Sequence, residues 1–185
     1  AEIVLGYLLI IIAGLFYVNS IKPGHPAICG TWPFVSDLRT GSMSGGSGEQ
    51  GLLTACCAQM LNHFKLPSGA AAGMADSKLP DAQSGYEKGT TAVMAGLSGL
   101  NLVYESVGMH ASLLGFCLES MIIDNDMLGQ CIRCVRGVEV NDDTLSLETI
   151  RDVCLNGPGH YLGHERTLDV METEYVYPSI SDRSS

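Results

Sequence analysis

A chain of 185 residues with a formal charge of −10 is long enough for one domain with a real core. Its charge has the wrong sign for nucleic acid, whose phosphates require a basic surface; the acidic balance is read first as solubility, with a basic protein partner left open. Seven cysteines, an odd number scattered through apolar or helical contexts, lack the spacing of a small secreted disulfide framework and fit a reducing cytoplasm better.

The chain opens at Ala1 without an initiator methionine and is read as a fragment or a processed product. Ile3 to Val18 carries no charge and lies between Glu2 and Lys22. It is slightly short for a membrane span, lacks the basic start of a signal peptide, and is read as a helix buried on all sides rather than a membrane anchor. Lys22 to Pro26 is a turn, and Ala27 to Gly30 a short buried strand. A Gly/Ser-rich loop follows from Thr31 to Gly48, then a helix from Glu49 to Phe64. The pattern repeats with a strand near Ala70–Gly73, a helix Pro80–Leu97, a strand Leu100–Ser106 and a helix from Ser112. That last helix is expected to break or bend at Asp124-Asn125-Asp126 and resume to Val135. Short strands alternating with longer helices imply an α/β fold with parallel strands, half of an eight-unit barrel or most of a doubly wound sheet. Beyond Gly137, Asn141 to Thr144 caps a helix Leu145–Cys154. A glycine-rich loop around His160 and a further short helix follow, and then a polar tail, 179–185. One domain over 1–178 is expected.

Several constellations could carry chemistry. Ser68 to Lys88 runs from small residues through Met74, Asp76, Ser77 and Lys78 to Pro80-Asp81, where a strand hands over to a helix. That junction is where α/β folds place chemistry, and it is equally a well-made turn with a capping aspartate. Gly45 to Glu49 lacks the spacing of a nucleotide loop. It is a loop with Ser47 as N-cap, or one whose N–H groups hold a carboxylate. Tyr104 and Glu105 at a strand end suit a quaternary ammonium, or else an anchoring ring and a solvated carboxylate. His160 could meet a substrate carboxylate or gate a cavity. His160 and His164 lack a third metal ligand, and the lone Cys131/Cys134 pair is read as two small hydrophobes, so no metal is expected.

With these residues in place, the chain resembles the C-terminal part of the trimethylamine methyltransferase family. The segments that carry the resemblance are Lys22-Pro23-Gly24, Gly45 to Gln50, Asp76 to Gln83 with Gly85 to Lys88, Tyr104-Glu105, Ile123 to Met127, Arg136 to Val140 and Gly159 to His164. The octet DSKLPDAQ is the most specific of them. The resemblance implies a (β/α)8 TIM barrel, of which this chain is the C-terminal portion. It implies methyl transfer from a methylated amine to the Co(I) corrinoid of a separate protein, with no tightly bound cofactor. It places Met74 at the position that founding members fill with pyrrolysine, which groups the chain with relatives acting on quaternary, betaine-type amines. On this reading Met74, Asp76 and Glu105 are catalytic, and Tyr86, Tyr104, His160 and Gly46 bind substrate. The expected protein is cytoplasmic, homo-oligomeric when full length, and associated with neither nucleic acid nor membrane. Trimethylamine as the substrate and a non-catalytic binding or structural fragment are the alternatives.

Overall fold

The apolar run after Glu2 folds into α1, Glu2–Ile21. The computed structural model describes residues 1–184, and α1 belongs to the first of two units, Ala1–Val135 and Arg136–Ser185. Ser185, the last residue of the expected tail, lies outside the described residues. The reading of α1 as buried on all sides is corrected: Leu8 is its one buried residue. With Ile11 and Leu15, Leu8 packs on Cys29, Leu61, Met60 and Leu66, while Ile10, Phe16 and Tyr17 are exposed. A helix of uniform apolarity is covered only where another element lies against it, and α1 has one such side. By length and composition alone it is also sufficient to cross a bilayer.

The strand–helix alternation is present as β1 Cys29–Thr31, α2 Gly48–His63, β2 Ser68–Ala71, α3 Ala82–Leu97 and β3 Leu102–Tyr104. The three strands form a parallel sheet in the order β1-β2-β3, with Gly30 opposite Gly69 and Gly69 opposite Leu102. Parallel neighbours need crossovers, which α2 and α3 supply. Ser47 caps α2 by accepting from the Gln50 N–H, and Asp81 and Ser84 close a capping box on α3. Every residue of β2 is buried, and its small side chains let neighbours approach. A Cβ on Gly69 would lie 3.3 Å from the Tyr104 ring. Gly73 has φ +82, and a Cβ there would lie 2.9 Å from the Ser106 carbonyl, so both its conformation and its surroundings favour glycine.

The expected (β/α)8 barrel is not what the chain forms. Among the described residues the strands make one open three-stranded sheet and one separate two-stranded sheet. Neither closes on itself, and closure of this kind of barrel takes eight tilted strands. The expected helix from Ser112 is also replaced. Residues 109–116 form a hairpin, β4 Met109–His110 and β5 Gly115–Phe116, and α4 begins only at Leu118 and runs to Arg136. It does not break at Asp124-Asn125-Asp126. Asp124 and Asp126 are both buried, and Asp124 is satisfied by an ion pair with Lys88 that periodicity does not reveal.

The second unit holds α5 Asp142–Leu145, α6 Leu147–Arg151, a π-helical turn Asp152–Asn156 and α7 Glu165–Glu174. The expected continuous helix Leu145–Cys154 is interrupted at Ser146, whose φ of 47 lies in the left-handed region and ends α5.

Candidate functional site

The junction between β2 and α3 carries Asp76, and its carboxylate collects donors from two separate segments, the loop 44–46 and the hairpin residue Ser112. Oδ1 accepts from the Gly45 N–H at 2.7 Å and the Gly46 N–H at 3.2 Å, and from the Ser112 hydroxyl. Oδ2 accepts from the Ser44 hydroxyl. Burial works against ionisation of this carboxyl, but the donations from Ser112, Ser44, Gly46 and Gly45 outweigh it and hold its pKa below the ordinary aspartate value. The glycine-rich loop therefore holds a carboxylate, as its chemistry suggests, and that carboxylate is Asp76 of the same chain.

Beneath Asp76 lies Glu87, buried on the inner face of α3. Its Oε2 accepts the N–H groups of Asp76 at 2.8 Å and Ser77 at 3.2 Å, and its Oε1 accepts the Gln83 amide at 2.8 Å. A Cβ on Gly46 would lie 2.9 Å from Glu87, so glycine at this position lets the loop close over the carboxylate. Above this floor opens a cleft of about 980 Å³ lined by Asp37, Arg39, Gly46, Glu49, Asp76, Tyr86 and Glu87 among others. Four carboxylates face one guanidinium, and Arg39 is already bound to Asp37 at 2.5 Å. That contact is the main reason the Asp37 pKa falls to about 2. The cleft is anionic and suits a cation.

Behind the junction a second polar group is sealed off. Lys88 Nζ donates to Asp124 Oδ2 at 2.6 Å, and the same oxygen accepts the Gly108 N–H at 2.7 Å. His110 Nδ1 faces the Ser77 carbonyl at 3.1 Å. A carbonyl only accepts, so Nδ1 carries the proton and Nε2 accepts, with the Ser120 hydroxyl at 2.6 Å and Lys88 Nζ at 3.4 Å. Lys88, His110, Ser120 and Asp124 are each no more than 3% exposed.

Of the residues singled out from sequence, Asp76, Gly46 and Tyr86 meet at the cleft. Met74 is buried beneath the same loop, where a Cβ on Gly45 would rest 3.5 Å from its side chain. Tyr104 ends β3 within an aromatic group, edge-on to Trp32 at 6.3 Å, with Trp32 stacked on Phe34 at 5.5 Å. Burial, and then the charge of Glu105, raise the Tyr104 pKa. Glu105 itself is exposed with φ 60. His160 is exposed in the second unit, where His164 caps α7 through Nδ1. Cys131 is buried and Cys134 exposed on α4, and among the described residues no three His, Cys, Asp or Glu side chains gather to hold a metal ion.

Sequence reasoning missed the partners of the junction. Ser44, His110, Ser112 and Ser120 stood out by no spacing, and Glu87, Lys88 and Asp124 appeared only as letters in the motifs GYEK and IDNDM. The usable signal was Asp124 within an otherwise apolar helical run, a charge that requires a partner when buried.

A family model described as trimethylamine methyltransferase (MTTB) matches residues 10–185. The glycine betaine methyltransferase of Desulfitobacterium hafniense strain Y51 is 34% identical over 176 residues, covering 95% of this chain and 36% of that protein. The trimethylamine methyltransferase MttB of Methanosarcina thermophila is 31% identical over 169 residues, covering 91% and 34%. MttB of D. hafniense strain DCB-2 is 32% identical over 151 residues, covering 82% and 30%. The chain thus spans about a third of the length of these relatives.

Proposed function

Because the chain belongs to the trimethylamine methyltransferase family, we propose that the protein carrying it moves a methyl group from a quaternary amine to the Co(I) corrinoid of a partner protein in the cytoplasm. The corrinoid is a co-substrate brought by that partner. The observation that supports a cationic methyl donor is the anionic cleft over Asp76 and Glu87, with Tyr86 on its wall. A fixed positive charge on nitrogen is attracted to carboxylates and to the face of an aromatic ring. Tyr104 with Trp32 offers a second aromatic surface of the same kind.

The choice of a quaternary amine follows from its leaving group. When Co(I) attacks the methyl carbon, the C–N bond breaks and its electron pair leaves on a neutral tertiary amine. No proton has to be supplied, and positioning for in-line attack carries the catalysis. Trimethylamine must first be protonated or quaternised. A glycine betaine methyltransferase among the relatives, and methionine at the position where the family resemblance places pyrrolysine, support the same choice. Asp76 acts here through the charge it fixes at the cleft floor, since its oxygens are occupied by Ser44, Ser112 and the Gly45 and Gly46 amides.

The test supplies the protein carrying this sequence with glycine betaine, a Co(I) corrinoid protein and, in parallel, trimethylamine, and follows methyl-Co(III) by absorbance. Methyl-cobalt from the quaternary amine alone is expected. Methyl-cobalt from trimethylamine alone, or from neither, overturns the assignment.

A further inference from the structure

The tip of the β4–β5 hairpin is held in a conformation it would not choose. Ala111, Ser112 and Leu113 have φ of 49, 49 and 80, three successive residues with a Cβ in the left-handed region, where each is disfavoured. Ser112 in this tip donates to Asp76, so the strained turn sets one wall of the Asp76 site. Something must hold it.

We propose that Lys88 is a positioning residue, whose buried ammonium fixes the hairpin through Asp124 and His110 and so keeps Ser112 against Asp76. Asp124 Oδ2, paired with Lys88 at 2.6 Å, grips the Gly108 N–H just before β4. His110 stands midway, bound to Ser77, Ser120 and Lys88. The Ala111 N–H then reaches the Ser77 carbonyl at 2.9 Å, and the Ser112 N–H reaches the Ala75 carbonyl at 3.0 Å. Lys88 stands on α3, Asp124 and Ser120 on α4 and His110 on β4. One ammonium therefore ties two helices to the strand that leads into the tip. Burial leaves Lys88 no contact with substrate, and it acts only through the hairpin. Apolar packing of similar volume could supply stability equally well, but it has no acceptor for the Gly108 N–H. The consequence for turnover rests on the cleft reading given above; the effect on the hairpin does not.

The test is amide hydrogen exchange over these residues in the protein carrying this sequence, with thermal unfolding measured alongside. Lys88→Met/Asp124→Leu removes both charges together, so neither is left buried and unpaired. The expected outcome is a midpoint within a few degrees of the parent, with exchange at Ala111 and Ser112 at least about tenfold faster and α2 unchanged. A restored midpoint with a fully protected tip overturns the proposal. Ser112→Ala keeps the question open to measurement where the double variant fails to fold, since it leaves the buried group intact and removes only the clasp on Asp76. Less than about a twofold change at Ala111 is expected. A tenfold rise shows that the clasp holds the tip and also overturns the proposal. Both readouts stand whether or not the chain transfers methyl groups.

Discussion

Lys88 and Asp124 in the first unit meet at 2.6 Å with 2% and 5% of their side-chain surface exposed. Arg151 and Glu148 in the second meet at 2.9 Å with 63% and 82% exposed. The contrast extends beyond the two pairs. Around the β2–α3 junction Ser77, Glu87, Lys88, His110 and Asp124 are buried and hydrogen-bonded, whereas in the second unit Val153 is the one buried residue among those described. Buried polar groups specify geometry because any other arrangement leaves one of them unsatisfied. Exposed pairs can exchange their partners for water at little cost. The Asp76 site is therefore held in one arrangement, and the surface ion pairs of the second unit set little of its fold.

Emptying the junction's packing is the strongest way to break this contrast. Met74→Ala removes a fully buried side chain beneath Gly45 and is expected to destabilise the chain by about 2–5 kcal/mol, whereas Met74→Leu stays within about 1.5 kcal/mol. Urea unfolding of the two variants checks both. Loss of substrate affinity in Met74→Ala at unchanged stability would instead put the thioether in direct contact with substrate.

Acid titration sharpens the comparison at intermediate size. The Asp76 pKa is depressed in the fold, so its ionised form stabilises the native state above the unfolded aspartate value of about 3.9. That contribution is lost as pH falls through the lower, folded value. The stability difference between the parent and Asp76→Asn should be constant between about pH 5 and 8 and shrink below about pH 4. A difference that persists unchanged to about pH 2 would show that the carboxylate's charge is not what the loop holds.

The smallest effect belongs to the second unit. Arg151→Ala breaks an exposed pair and should leave the unfolding midpoint unchanged within error, at low and high salt alike. A clear drop would mean that this pair belongs to a network that the contacts of Arg151 with Glu148 do not reveal.

What the sequence determined by itself lies within a few residues of each position that shows it. Ser47 caps α2, Asp81 closes a capping box on α3 and Asn141 caps α5, because each of these bonds reaches three residues along the chain. The small residues of β2 likewise announced close packing, and the motif DSKLPDAQ announced the family. Tertiary structure decided the rest. Asp76 meets Ser44 and Ser112 across 32 and 36 residues, and Lys88 meets Asp124 across 36. No local periodicity encodes such pairs, since they depend on where the chain returns. The same cause explains why residues 109–116 became a hairpin, why α4 carries its aspartates through without a break, and why α1 is covered on one side only. A carboxylate in a helical run has the same letter whether it faces water or a buried lysine, and only the fold supplies the partner that separates the two.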